Sequence, residues 1–173
     1  GCRQILWGMF KKMVIADSLS LFVSRDVASS NGSTLAVVAI MYSIQLYADF
    51  SGYSDMAIGV GKLLGIKITP NFCYPYFSRS IAEFWNRWHM SLLSWFRYYI
   101  YFPLGGSRCE KSKVIRNTFI VFLISGLWHG ANWTFVIWGL FHAILFLPLL
   151  LCENRKRYKQ NTPYTLSDIF KIS

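Results

Sequence analysis

Two apolar runs meet at a histidine. Asn117–Leu127 leads into Ser125-Gly-Leu-Trp-His-Gly-Ala-Asn-Trp133, and Trp133–Leu151 leaves it. His129 therefore stands between hydrophobic stretches, followed by a glycine and an asparagine of the kind that break and turn a helix. About twenty apolar residues span a bilayer, so the reach from Asn117 to His129 is roughly two-thirds of a crossing. The imidazole is expected within the membrane, and a polar ring at that depth ordinarily faces a partner, a water-filled cavity or a substrate path. Trp133–Leu151 then returns to the starting side, which predicts a two-helix hairpin with a kink permitted at Pro148.

The composition agrees. Of the 173 residues 54% are hydrophobic and 18% aromatic, too heavy a load for most soluble domains of this length. An all-α polytopic membrane protein is the expected class, and the chain reads as a piece of a longer one. The net charge of +10 is not a nucleic-acid signature. Its basic residues gather at segment ends, Arg108, Lys111, Lys113 and Arg116, then Arg155, Lys156, Arg157 and Lys159, with few aromatics between them to stack bases. Such clusters mark cytoplasmic loops and fix orientation. The four cysteines are scattered without a Cys-x-x-Cys pair, so neither a zinc site nor a disulfide framework is indicated.

Upstream, Gly1–Val23 is apolar but interrupted by Arg3, Lys11, Lys12 and Asp17. It suits a helix in the interface, or a short piece buried against others. Thr34–Phe50 is a sound transmembrane candidate that runs into Asp49 and Asp55, where a broken helix held by hydrogen bonds is expected. Gly59, Gly61 and Gly65 permit close helix approach. Ser80–Pro103 is long enough to span yet carries Glu83, Arg87, His89 and Arg97, with Glu83 and Arg87 at the i, i+4 spacing of a helical ion pair. Lys62 and Lys67 precede it and Arg108–Arg116 follow. If both clusters are cytoplasmic, this segment enters and returns or lies partly in the plane, which favours a pocket.

No phosphate loop or Gly-x-Ser-x-Gly elbow is present, so the chemistry falls to His89, His129 and His142. A buried, neutral imidazole takes the proton of a hydroxyl attacking an acyl carbon. A donor for the oxyanion is also needed, and the Trp, Tyr, Asn and Ser groups around His129 are candidates. Haem ligation by His129 and His142 is disfavoured, because Gly130 and Asn132 interrupt the helix that would align them. No metal-ligand spacing is found. On the residues alone an enzyme and a transporter with a broken-helix cavity both stand.

The motifs add a resemblance. Gly8-Met-Phe-Lys-Lys-Met-Val-Ile-Ala-Asp17, Tyr47-Ala-Asp-Phe-Ser-Gly-Tyr-Ser-Asp-Met-Ala-Ile-Gly59, Asn71-Phe-Cys-Tyr-Pro-Tyr76, Glu83-Phe-Trp-Asn-Arg-Trp-His-Met-Ser-Leu92, Tyr101-Phe-Pro-Leu-Gly-Gly-Ser-Arg108 and Gly126-Leu-Trp-His-Gly-Ala-Asn-Trp133 occur in this order. Together they resemble the membrane-bound O-acyltransferase family, in its bacterial branch that acetylates alginate and other extracellular polysaccharides. The resemblance implies a bundle of transmembrane, re-entrant and interfacial helices, of which residues 1–173 form the central part of one membrane domain. It implies His129 as the base or polariser of acyl transfer and His89 as a supporting active-site group, with His142 expected to pack. Trp128, Asn132, Trp88 and Arg87, beside the two histidines, stand as candidate substrate-binding residues.

The resemblance further implies a multi-pass protein of the bacterial cytoplasmic membrane and no bound cofactor. An acyl donor such as acetyl-CoA would serve as substrate and a polysaccharide as acceptor, with a periplasmic or extracellular acetyltransferase as partner. Teichoic acid D-alanylation is the alternative. The chain departs from the branch at Tyr98, where an acidic residue usually follows Trp-Phe-Arg, and at Cys73, where Asn or Asp is usual. The first departure puts an Arg97–acid pair in doubt.

Overall fold

The computed structural model describes residues 1–26 and 32–151, and all regular structure among them is helical. The chain divides after Asn71 into two compact units.

In the first unit α1 (Cys2–Met9), a π-helical turn (Phe10–Ala16) and α2 (Asp17–Asp26) follow one another without a break. Together they lie along α3 (Gly32–Leu63), a 32-residue helix. Two glycines set the separation. A Cβ on Gly8 would meet the Gly52 carbonyl oxygen at 2.5 Å, and one on Gly52 would meet that of Gly8 at 2.7 Å. With backbones this close, side chains beside the contact reach straight across. Lys11 pairs with Asp55, while Lys12 lies 2.8 Å from Asp49 and 3.0 Å from Asp17. Gln4 donates to Asp55 at 3.1 Å and accepts from Lys62 at 2.8 Å.

This corrects two expectations. Of the two readings of Gly1–Val23 the short piece is excluded, because the segment is most of a long helix packed along α3. Asp49 and Asp55 hold no broken helix together: α3 runs through both without a break, and their partners are lysines of the π-turn. α3 ends in a Schellman motif: Gly65, at φ +73°, takes the left-handed position that suits glycine, and the Ile66 amide donates back to the Gly61 carbonyl at 2.8 Å.

The second unit begins with an irregular strand of chain and a 3-10 turn at Pro75–Phe77, then α4 (Ile81–Arg87), α5 (Met90–Phe96), a π-turn (Arg97–Tyr101), α6 (Lys111–His129) and α7 (Trp133–Leu151). Ser80 caps α4, its hydroxyl accepting from the Glu83 amide at 3.2 Å. Glu83 accepts in turn from the Arg79 amide at 2.8 Å, and its other oxygen holds Arg87, the expected i, i+4 pair.

Ser80–Pro103 is not one span, in keeping with the charge argument. It is two short helices broken at Trp88 and His89. The predicted hairpin is present as α6 and α7, whose 19 residues each match the sequence boundaries at His129 and Trp133.

Polarity is inverted relative to a water-soluble core. Asn117 is completely buried and Thr118 and Ser51 nearly so, whereas Ile137, Phe141 and Ile144 on α7 are more than half exposed. Asn117 is satisfied where it lies, donating to the Leu104 carbonyl at 2.9 Å and accepting from Arg116 at 3.0 Å. Among the described residues, α3 and α7 are long and apolar enough to cross a bilayer. The second basic cluster, Arg155–Lys159, lies outside the described residues.

Candidate active site

The hairpin closes on glycine. A Cβ on Gly126 would run into the Phe135 carbonyl oxygen, one on Gly139 into that of Phe122, and each would sit 3.5 Å from the other glycine's Cα. The helices therefore touch backbone to backbone, as small residues allow in membrane bundles. His129, nearly one turn beyond Gly126, is thereby held among aromatic rings. Its ring centroid is 5.2 Å from that of Trp138, 6.3 Å from Phe135 and 5.0 Å from Trp128. The imidazole was expected to be buried. Instead, as the last residue of α6, it is exposed and opens into a cavity, and no hydrogen bond to another described residue engages it.

His89 arrives from the other side. It caps α5 in the left-handed region, at φ 44° and ψ 55°, a conformation uncommon outside glycine and frequent where function constrains the backbone. The break turns its ring toward the hairpin, 6.0 Å from the ring of Trp128. Trp128 thus lies between the two histidines. His89 lies outside both membrane-long helices, and burial, with a smaller contribution from His129, lowers its pKa to about 4. It is neutral at pH 7, as an acceptor or tautomeric donor must be.

Both histidines line one cavity of about 470 Å³, with Asn86, Arg97, Tyr101, Thr118 and Ser125 as its other polar residues apart from Ser80 at the start of α4. Its walls are apolar, supplied by α5, α6 and the end of α7. That volume suits a small ligand or one arm of a larger one.

The expected site residues separate into two groups. His129, His89 and Trp88 line the cavity, and Trp128 contacts both histidines from beside it. Arg87 and Asn132 are not among the lining residues. Arg87 is committed to Glu83, and Asn132 caps α7, accepting from the Thr134 amide at 3.1 Å and its hydroxyl at 3.2 Å. Asn132→Ala is accordingly expected to cost about 1 kcal/mol of stability, as lost helix caps do. Thermal unfolding in detergent checks this, with acyl transfer per folded molecule unchanged.

His142 packs as expected, its ring 4.6 Å from Trp138 and 5.0 Å from Trp85. Arg97 and Asn86 were missed as site residues although both lie in or near the Glu83–Leu92 motif. The signal was there: Arg97 is the one cation of that segment with no acidic residue at helical spacing. Its guanidinium donates to Asn86 Oδ1 at 3.1 Å, which answers the doubt raised by Tyr98.

Known proteins are similar to this chain in sequence. The chain is 49% identical over 83% of its length to a probable alginate O-acetylase of Azotobacter vinelandii, covering 29% of that protein. It is 48% identical over 79% of its length to a peptidoglycan O-acetyltransferase of Helicobacter pylori, covering 27% of it. It is 35% identical over 92% of its length to a teichoic acid D-alanyltransferase of Bacillus subtilis, covering 43% of it. The chain thus spans between about a quarter and two-fifths of the length of these relatives. The model of the membrane-bound O-acyltransferase family matches residues 2–165, nearly the whole chain and all three of its histidines, and the chain belongs to that family.

Proposed function

We propose that the chain carries the acyl-transfer centre of a bacterial membrane O-acetyltransferase that moves acetyl groups to hydroxyls of a polysaccharide outside the cytoplasm. The observation that carries this reading is the convergence of His129 and His89, from separate helices, on one mostly apolar cavity. His129 takes the proton of the attacking hydroxyl as its oxygen bonds to the acyl carbon. The bond from that carbon to the donor sulfur then breaks, and the proton passes to the departing thiolate. His89, neutral and fixed by its backbone, serves as the nearby polar group for the developing oxyanion. The hydroxyl belongs to the polysaccharide or to a partner protein that completes the transfer. The donor, a thioester such as acetyl-CoA, is a substrate.

Acetyl is favoured over D-alanyl by the higher identity to the two O-acetylating relatives, 49% and 48% against 35%. The test is chemical identification of the product. In cells deleted for the full-length parent gene, its restoration is expected to return ester-linked acetate to surface polysaccharide, measured by mass spectrometry. Return of ester-linked alanine would select the second reading. Return of neither would remove acyl transfer altogether.

A further inference from the structure

The geometry points to Arg97, held by Asn86, as the anchor for a phosphate group of the acyl donor. This rests on the acyl-transfer reading and goes beyond it by assigning a donor-binding residue. Among the described residues lining the cavity Arg97 is the one lysine or arginine. It is exposed, and Asn86 Oδ1, a neutral acceptor, takes one of its five N–H donors. No described carboxylate pairs with it, in contrast to Arg87, which Glu83 neutralises. A guanidinium tethered on one side and without a carboxylate partner among the described residues is arranged to take an oxyanion bidentately.

Position selects the donor over the acceptor. α5 starts beside the hairpin turn, where His89 meets Trp128, and its π-turn leads on to Leu104, whose carbonyl accepts from Asn117 near the start of α6. Arg97 is eight residues past His89, about 12 Å along a helix axis. It is displaced from the histidines toward the end of α6 that carries Lys111, Lys113 and Arg116. Positive clusters of this kind mark the cytoplasmic side, where an activated acyl donor is available, and they attract polyanions. The cavity continues that way, past Thr118 to Leu149 and Leu150. A donor reaching in from the basic end would place its phosphate at Arg97 and its acyl carbon near His129. The matching ligand is a thioester whose phosphate and carbonyl are separated by about 12 Å or more.

The experiment uses the full-length parent protein in nanodiscs and two donors that differ only in phosphate, acetyl-phosphopantetheine and acetyl-pantetheine. Initial rates of acetyl transfer are compared for wild type, Arg97→Gln and Arg97→Lys. Arg97→Gln is expected to raise KM for the phosphorylated donor about ten- to a hundredfold, as loss of a charge-assisted bond does, with kcat held. KM for the unphosphorylated donor is expected to stay put, and Arg97→Lys to recover part of the difference. Equal loss on both donors would make Arg97 structural, and a changed KM for the acceptor alone would assign it to the sugar. Either result, or no change, overturns the assignment while leaving acyl transfer intact. A wild type inactive with both donors overturns both readings.

Discussion

Replacing His129 by alanine in the full-length protein is expected to lower ester-linked acetate on surface polysaccharide by at least about a hundredfold, the low end of what a positioned general base contributes. The expectation comes from the ring's setting. Trp138 and Phe135 on α7 fix it from one side and Trp128 from its own helix, so its orientation is set by packing. Its nitrogens remain unengaged by other described residues while the ring opens into the cavity.

His129→Gln is the sharper variant, since it retains a polar side chain of similar reach but cannot serve as a base near neutral pH. Both variants are compared with wild type at equal membrane abundance, and acetate is quantified by mass spectrometry after mild alkaline release. Loss in both at matched abundance assigns the base. Acetate persisting in the glutamine variant would reduce His129 to a hydrogen-bonding role, and persistence in both would remove it from the chemistry.

The parts of this site that were legible in sequence share a physical character. The hairpin could be read because its ends are local signals: an apolar run stops, glycine and asparagine turn the chain, and a second run starts. His129 and His89 stood out because a titratable ring in apolar sequence has a cost that demands a reason. Non-local pairing was harder to see. Nothing near Asp49 or Asp55 in sequence announces that Lys12 and Lys11, some forty residues earlier, will meet them. The π-turn that aims those lysines leaves no periodic trace in so short a stretch.

Asn132 shows how one residue type can carry two readings. An asparagine beside a candidate catalytic histidine invites a substrate role, the same residue just before an apolar helix is a common N-cap, and the structure contains the cap. At Arg97 the sequence shows only that the acid usual after it is missing. The structure supplies Asn86 instead, and among the described residues no carboxylate pairs with this cation.

Placing leucine at Gly126 is expected to prevent α6 and α7 from docking, which would be the largest structural effect of a single substitution in this unit. At Gly126 even a Cβ would overlap the Phe135 carbonyl and lie 3.1 Å from its carbon, and these are backbone atoms that no rotamer change can move. The reciprocal contact at Gly139, 3.2 Å from the Phe122 carbonyl carbon, leaves no slack on the other helix. Relief requires the helices to separate, which breaks the Trp138–His129 contact and uncovers Ala143, now fully buried one turn along.

Overpacking of a close interface costs about 1–3 kcal/mol when side chains can adjust and more when they cannot, so about 3 kcal/mol or more is expected here. Gly139→Leu is expected to match it. Gly32→Leu is the control, because among the described residues nothing lies within 4 Å of a Cβ at that position. The measurement is the thermal midpoint of the full-length protein in detergent, followed by size-exclusion chromatography. A clear fall for Gly126→Leu and Gly139→Leu beside an unchanged Gly32→Leu supports the glycine contact as the element that sets His129 in place. An unchanged midpoint in the two hairpin variants would mean that the helices do not approach as closely as their backbones indicate, and the aromatic frame around His129 would need another support.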